Sequence, residues 1–468
     1  MSKFSLIYVG AFLLLLSLFS FFNIVYSYYF SIFLNIDVYT FTFVICLLLG
    51  LFLIYFKKIN FKKITIYEKI ITILFGYFFF PLVISLPFYF SISNISFLNC
   101  YFESISGFTS TGFTIFSNIK HLDQSLILWR STSQWIGGLY FLFSIILLID
   151  IFDKNLKNNL TEFLSFDSSE ILKQSFKVII LYLLLTLFIF LILKFINIRN
   201  FDAFNLSLTL ISSGGFLPVN NLDMLINSEL KQIVLSFLML ITFFSLFLSF
   251  NLVYFKQRGL SVFTEDFYLF LYFIFINVIF FIFFDNNDYS SIFLSISSSI
   301  SNIGFSSKSI PNNLYFIFLI LVIIGGSFFS TSSGLRFIKI FSLIKFSINE
   351  LLSHSRPRQV YLSKIAFSKD YVNQIDINKY FLSILIFVVS LITVTILLTI
   401  SNLNFDTAFK LGILSIMNTV NSNMYGLGDF YFLKTSYFSK MTLIVFMIIG
   451  RVELLTFLII AKKFLFKN

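Results

Sequence analysis

Apolar runs long enough to cross a bilayer alternate with short polar stretches along all 468 residues. The runs lie at residues 5–34, 38–56, 67–91, 124–151, 175–197, 231–255, 265–284, 314–345, 380–400 and 438–461, which predicts ten spans. Four polar stretches rich in Ser, Thr, Asn and Gly interrupt this pattern. Three share a core, Thr111-Gly112-Phe113, Gly214-Gly215-Phe216 and Ile303-Gly304-Phe305, and the fourth is Asn421-Ser422-Asn423-Met424-Tyr425-Gly426. Shorter, moderately apolar segments, Asn99–Gly107, Phe201–Leu210, Tyr289–Ser301 and Phe405–Asn418, precede them. These are too short to span and suit re-entrant helices.

The sequence therefore repeats span, short helix, polar loop and span four times, at intervals of roughly 90 to 120 residues. It reads as an all-α integral membrane protein with about ten transmembrane helices, in which four pseudo-fourfold helix/pore-loop/helix repeats surround one ion pathway. The expected division is 1–63 for two N-terminal helices, then 64–160, 161–260, 261–370 and 371–468 for the repeats. Irregular polar backbone survives at membrane depth only inside protein or against water, so four such breaks predict the walls of an aqueous pathway.

Composition agrees: 58% hydrophobic and 12% charged residues with a mean hydropathy of +0.93 exclude a soluble globule. The net charge of +11 does not point to nucleic acid, because the basic residues fall between apolar runs. With the N-terminus inside, Lys57, Lys58, Lys62 and Lys63, then Lys154 and Lys157, Lys256 and Arg258, Arg336 to Lys369, and Lys462, Lys463 and Lys467 all fall on the cytoplasmic side. The start of the chain has no small-residue cleavage signal and reads as a retained first span, leaving both termini cytoplasmic. Cys46 and Cys100 have no metal-ligand spacing. His121 and His354 are the only histidines and the carboxylates are dispersed, so no catalytic constellation assembles. A polytopic membrane enzyme is the competing class, and no cofactor is expected in this chain.

Ser106-Gly107-Phe108-Thr109-Ser110-Thr111-Gly112-Phe113, Gln134-Trp135-Ile136-Gly137-Gly138, Gly325 to Leu335 and Gly450-Arg451-Val452-Glu453, in that order, resemble the TrkH/KtrB potassium-transporter family over nearly the whole chain. The two spans before the first repeat look more like TrkH. This resemblance implies the pore-forming subunit of a Trk-type potassium uptake system in a bacterial cytoplasmic (inner) membrane. It further implies a homodimer and a cytoplasmic nucleotide-binding regulatory subunit, TrkA-like. Coupling of transport to sodium or protons is left open.

A potassium ion entering such a filter exchanges hydration water for protein oxygens, and inward-facing carbonyls need backbone angles open to Gly. Gly112, Gly215 and Gly304 suit that role, with Thr109, Ser110 and Thr111, Ser212, Ser213 and Gly214, and Ser301, Asn302 and Ile303 beside them. In the fourth loop Asn421, Ser422, Asn423 and Met424 are the candidates, and a small shift in register puts Gly426 in place of Met424. Either way the fourth member departs from the family. A less selective or non-conducting protein is the alternative that this departure raises. The competing explanation for the loops is that small residues merely let helices pack closely.

Three further positions carry expectations. Gly325, Gly326 and Gly334 bracket hydroxyl residues, so the eighth span should unwind there. By resemblance this segment is an intramembrane gate lined by Ser330, Thr331 and Ser332. Arg451, in the last span, points into the pore beneath the filter by the same resemblance, or else forms a salt bridge with a distant carboxylate such as Glu103 or Asp202. Glu103 reads as an anchor for the first short helix.

Overall fold

The computed structural model describes residues 3–55, 65–148, 171–253, 264–283, 289–307, 314–355 and 374–452. Most of the basic connections named above, and Glu453, lie outside these residues.

The helices are α1 (Lys3–Tyr29), α2 (Ile36–Tyr55), α3 (Ile66–Ser91), α4 (Phe97–Phe108), α5 (Gln124–Leu147), α6 (Ile171–Phe195), α7 (Asn200–Ile211) and α8 (Glu229–Phe243). They continue as α9 (Leu246–Val253), α10 (Thr264–Phe283), α11 (Tyr289–Ile300), α12 (Tyr315–Ile323), α13 (Phe337–Ser355), α14 (Gln374–Ile400), α15 (Phe405–Ile416) and α16 (Tyr437–Val452). Among the described residues, six helices are long and apolar enough to cross a membrane: α1, α2, α3, α6, α10 and α14. The fold is all-α and membrane-embedded, and the outer helices show why. Leu48, Leu51 and Phe52 of α2, like Phe381, Val389 and Ile392 of α14, are exposed, which a lipid surround accommodates and water does not.

Inside this shell α5 is enclosed, with every residue from Ser125 to Leu147 buried. Its polar run Arg130 to Gln134 is thus in the protein interior, not in lipid. Two glycines let it approach the short helices. A methyl carbon on Gly137 would lie 1.9 Å from the Phe108 carbonyl oxygen, and one on Gly138 would lie 2.8 Å from Cβ of Ser212. α1 and α2 meet the same way, since a methyl carbon on Gly50 would come 3.1 Å from the Gly10 carbonyl oxygen.

The expected span at 231–255 is not one helix. It stops at Phe243 and restarts at Leu246, because the carbonyl of Phe243 and the amide of Leu246 are bonded to the segment that interrupts the eighth span. That interruption, expected from the glycines, falls between α12 and α13. There β1 (Ile324–Gly325) pairs in parallel with β2 (Leu335–Arg336), closing residues 326–334 into a loop.

Gly50→Ile should force α1 and α2 apart and cost about 1–3 kcal/mol by overpacking. Thermal unfolding in detergent would show a lowered midpoint, while the same substitution at lipid-facing Leu51 should leave it unchanged.

Candidate ion pathway

Each of α4, α7, α11 and α15 is twelve residues long, and all four end in the same way. A helix that stops inside a membrane must satisfy its last carbonyls without lipid or bulk water. Here the chain turns through a left-handed residue two positions past the helix: Ser110 (φ 58°), Ser213 (54°), Asn302 (58°) and Asn418 (49°). The next amide then reaches back to the helix. Thr111 N donates to Ser106 O at 2.9 Å, Gly214 N to Thr209 O at 2.8 Å, Ile303 N to Ser298 O at 3.0 Å and Thr419 N to Leu414 O at 3.0 Å. The carbonyl ends of four helices, each carrying partial negative charge, are thereby placed at equivalent points.

This register corrects the fourth loop. Counting from the helix ends, the partners of Gly112, Gly215 and Gly304 include Val420, not Met424 or Gly426. Met424 is buried in a short turn, Asn423–Tyr425, where its sulfur takes the Ser299 hydroxyl at 3.6 Å, and Gly426 (φ 71°) closes that turn. A search for glycine misleads here for a physical reason. Gly112 (φ 84°) and Gly304 (φ 88°) need the left-handed region, whereas Gly215 and Val420 stand outside it, so a β-branched residue fits the fourth position.

Hydrogen bonds join the loops in cyclic order. Ser213 Oγ donates to Ser301 O at 2.9 Å, Asn302 Nδ2 to Thr419 Oγ1 at 3.4 Å, and Asn418 Nδ2 to Thr111 Oγ1 at 3.0 Å. The same two asparagines donate outward to Val322 O and Met447 O, each at 2.8 Å, fixing the loops to the helices that follow them. Between the first and second loops the link is Arg451, whose Nη2 reaches Ser110 Oγ at 3.4 Å and Ser212 O at 3.5 Å. Its Nη1 bonds Ser333, and its guanidinium lies 4.0 Å from the centre of the Phe141 ring. Neither expected carboxylate is its partner: Glu103 pairs with Arg130 at 2.9 Å and Asp202 with Arg199 at 2.8 Å.

Above the ring is a cavity of about 400 Å³, whose lining includes Gly112, Gly215, Gly304 and Val420. Asn421, Ser422, Asn423, Asp223 and Asp429 also face it, so the first three of these lie in the mouth beyond the ring. Arg130 lines it as well. Sequence reasoning missed Arg130, although a cation eight residues before Gly138 in an apolar run already called for a partner. That partner is Glu103, which also accepts from Thr114 Oγ1 at 3.0 Å and from Ile115 N at 2.9 Å, holding the chain just past the first loop.

On the other side of the ring lies the loop at 326–334. Thr331 Oγ1 donates to Ile211 O, the last carbonyl of α7, at 2.9 Å. Ser330 and Ser332 bond each other at 2.8 Å, and Arg336 Nη1 donates to Ser330 Oγ and to the carbonyls of Ser327 and Ser332. Two carboxylates missed in the sequence hold the loop's surroundings. Glu265 accepts from Phe328 N at 3.1 Å, and Asp266 accepts from Ser245 N at 2.9 Å and Ser245 Oγ at 2.7 Å. Their signal was an acidic pair opening an apolar span.

No protein-family model matches the chain. It is 26% identical over 407 residues to the Trk system potassium uptake protein TrkH of Escherichia coli K12, covering 80% of this chain and 81% of that protein. It is 25% identical over 404 residues to an uncharacterized cation transporter of Methanocaldococcus jannaschii, covering 82% and 80%. The crystal structure of the potassium transporter TrkH from Vibrio parahaemolyticus superposes with a TM-score of 0.82 over 98% of both chains, at 20% identity. The chain is similar to TrkH in sequence and shares its fold.

Removing one member of a buried ion pair costs roughly 3–5 kcal/mol, because the other charge is left without compensation. Glu103→Gln should therefore lower the unfolding midpoint sharply, and Glu103→Leu with Arg130→Met should recover most of the loss. Arg451→Gln should also lower the midpoint, since it unlinks the first two loops and Ser333. An unchanged midpoint would remove the bracing role of Arg451.

Proposed function

We propose that this chain is the pore-forming subunit of a Trk-type system and carries potassium across a bacterial cytoplasmic membrane. The observation that supports this best is the set of four twelve-residue helices whose carbonyl ends and left-handed turns meet around one ring. Such a ring offers a cation backbone and hydroxyl oxygens in place of its hydration shell. The relatives named as potassium or cation transporters support the same reading.

In this reading the filter is formed by Thr109 to Gly112, Ser212 to Gly215, Ser301 to Gly304 and, in the fourth loop, Met417 to Val420. Potassium is the transported substrate. Asp223 and Asp429 lie in the mouth, where negative charge raises the local cation concentration. The loop at 326–334 is the intramembrane gate, with Arg451 joining it to the filter. Each repeat, at 64–160, 161–260, 261–370 and 371–468, supplies one wall. The basic connections support a topology with the termini and the gate side in the cytoplasm. There a TrkA-like nucleotide-binding partner would act on a homodimer of this chain.

Purified protein in lipid vesicles should take up rubidium faster than protein-free vesicles, with external potassium competing. Uptake no faster than in empty vesicles, from protein that elutes as a folded species, would reject the transport reading.

A further inference from the structure

We propose that the side chain of Val420 is a throttle across the ion ring, restricting the passage of monovalent cations through it. The inference rests on the transport reading above and concerns how freely the pathway opens.

The bonds between loops fix their cyclic order, so the second and fourth loops stand diagonally opposite. Diagonal partners around an open pore are separated by the pore. Here they touch through Val420. A methyl carbon placed on Gly215 would lie 2.4 Å from Val420 Cβ, with its two Cγ atoms at 2.9 and 3.0 Å. At Gly304 the nearest atom is again Val420 Cγ1, at 2.7 Å. The isopropyl group therefore occupies the space between Gly215 and Gly304, at the floor of the cavity. At Gly112 the nearest atoms belong to Gly215 instead.

An isopropyl group offers a cation no oxygen, and an apolar constriction in a narrow pore also resists wetting. The group is not free to swing aside at little cost. A β-branched side chain is stiff at χ1, and its backbone is held by Val420 N donating to Ile303 O at 3.5 Å and by Thr419 N donating to Leu414 O. Gly215 and Val420 are thus a size-matched pair, in which the absent side chain of one admits the side chain of the other.

The test is rubidium uptake into vesicles by the unchanged protein, Val420→Ala and Val420→Gly. Trimming the side chain should raise the initial rate in steps, to about tenfold for glycine, the factor that one polar contact is worth in a barrier. If the unchanged protein transports and neither variant is faster while both remain folded, the throttle is wrong and the transport reading stands. If no form exceeds protein-free vesicles, both fail. Thermal stability gives a readout independent of transport. Gly215→Ala should lower the unfolding midpoint in the unchanged background and much less together with Val420→Gly, and an equal loss in both backgrounds would overturn the packing on which the throttle depends.

Discussion

A backbone that leaves the helical path inside a membrane must find a partner in protein or cavity water for every amide and carbonyl it exposes, and most of this structure answers that demand. The four short helices meet it by one device, the amide of the residue after the left-handed one donating back to the last helical turn. Because the device is the same length each time, it also sets the register of the ring. The residues that supply the left-handed turns, Ser110, Ser213, Asn302 and Asn418, are those whose short polar side chains tolerate that conformation or link the loops.

Two interrupted helices solve the same problem together. The gap between α8 and α9 leaves the carbonyls of Thr242 and Phe243 and the amide of Leu246 without helical partners, and the loop at 326–334 supplies Ser332 N, Ser327 N and Phe329 O. Neither break would be stable alone at this depth. Their joint closure brings Thr331 against the end of α7, so the loop is tied to the base of the ring by the same bonding that stabilises it. Displacing the loop would therefore expose backbone on both partners together.

Buried charge follows the same economy of partners. Arg130 and Glu103 neutralise each other while positioning the chain beyond the first loop. Arg336 and Arg451 use hydroxyls, carbonyls and the shared face of Phe141, at 5.2 and 4.0 Å. An arginine can do this because its planar fork distributes charge over several acceptors. The result joins the ring of loops, the loop at 326–334 and α5 through one aromatic ring.

The sequence alone determined the membrane class, the four short helices and the broken eighth span, because apolar length and glycine–hydroxyl composition are local properties that hydrocarbon punishes when they are wrong. The equivalence of Gly112, Gly215 and Gly304 was legible for the same reason. What the tertiary structure decided was everything that depends on who stands opposite whom. Val420 has no local mark, since its fitness for the ring follows from a backbone angle outside the left-handed region and from the missing side chain of Gly215 across the diagonal. The break after Phe243 was equally invisible, because scattered Ser and Thr in an apolar run carry no stop signal and only the distant loop makes interruption affordable. The partner of Arg451 could not be chosen by charge, because the acceptors that hold it are hydroxyls and a carbonyl brought together from three distant parts of the chain.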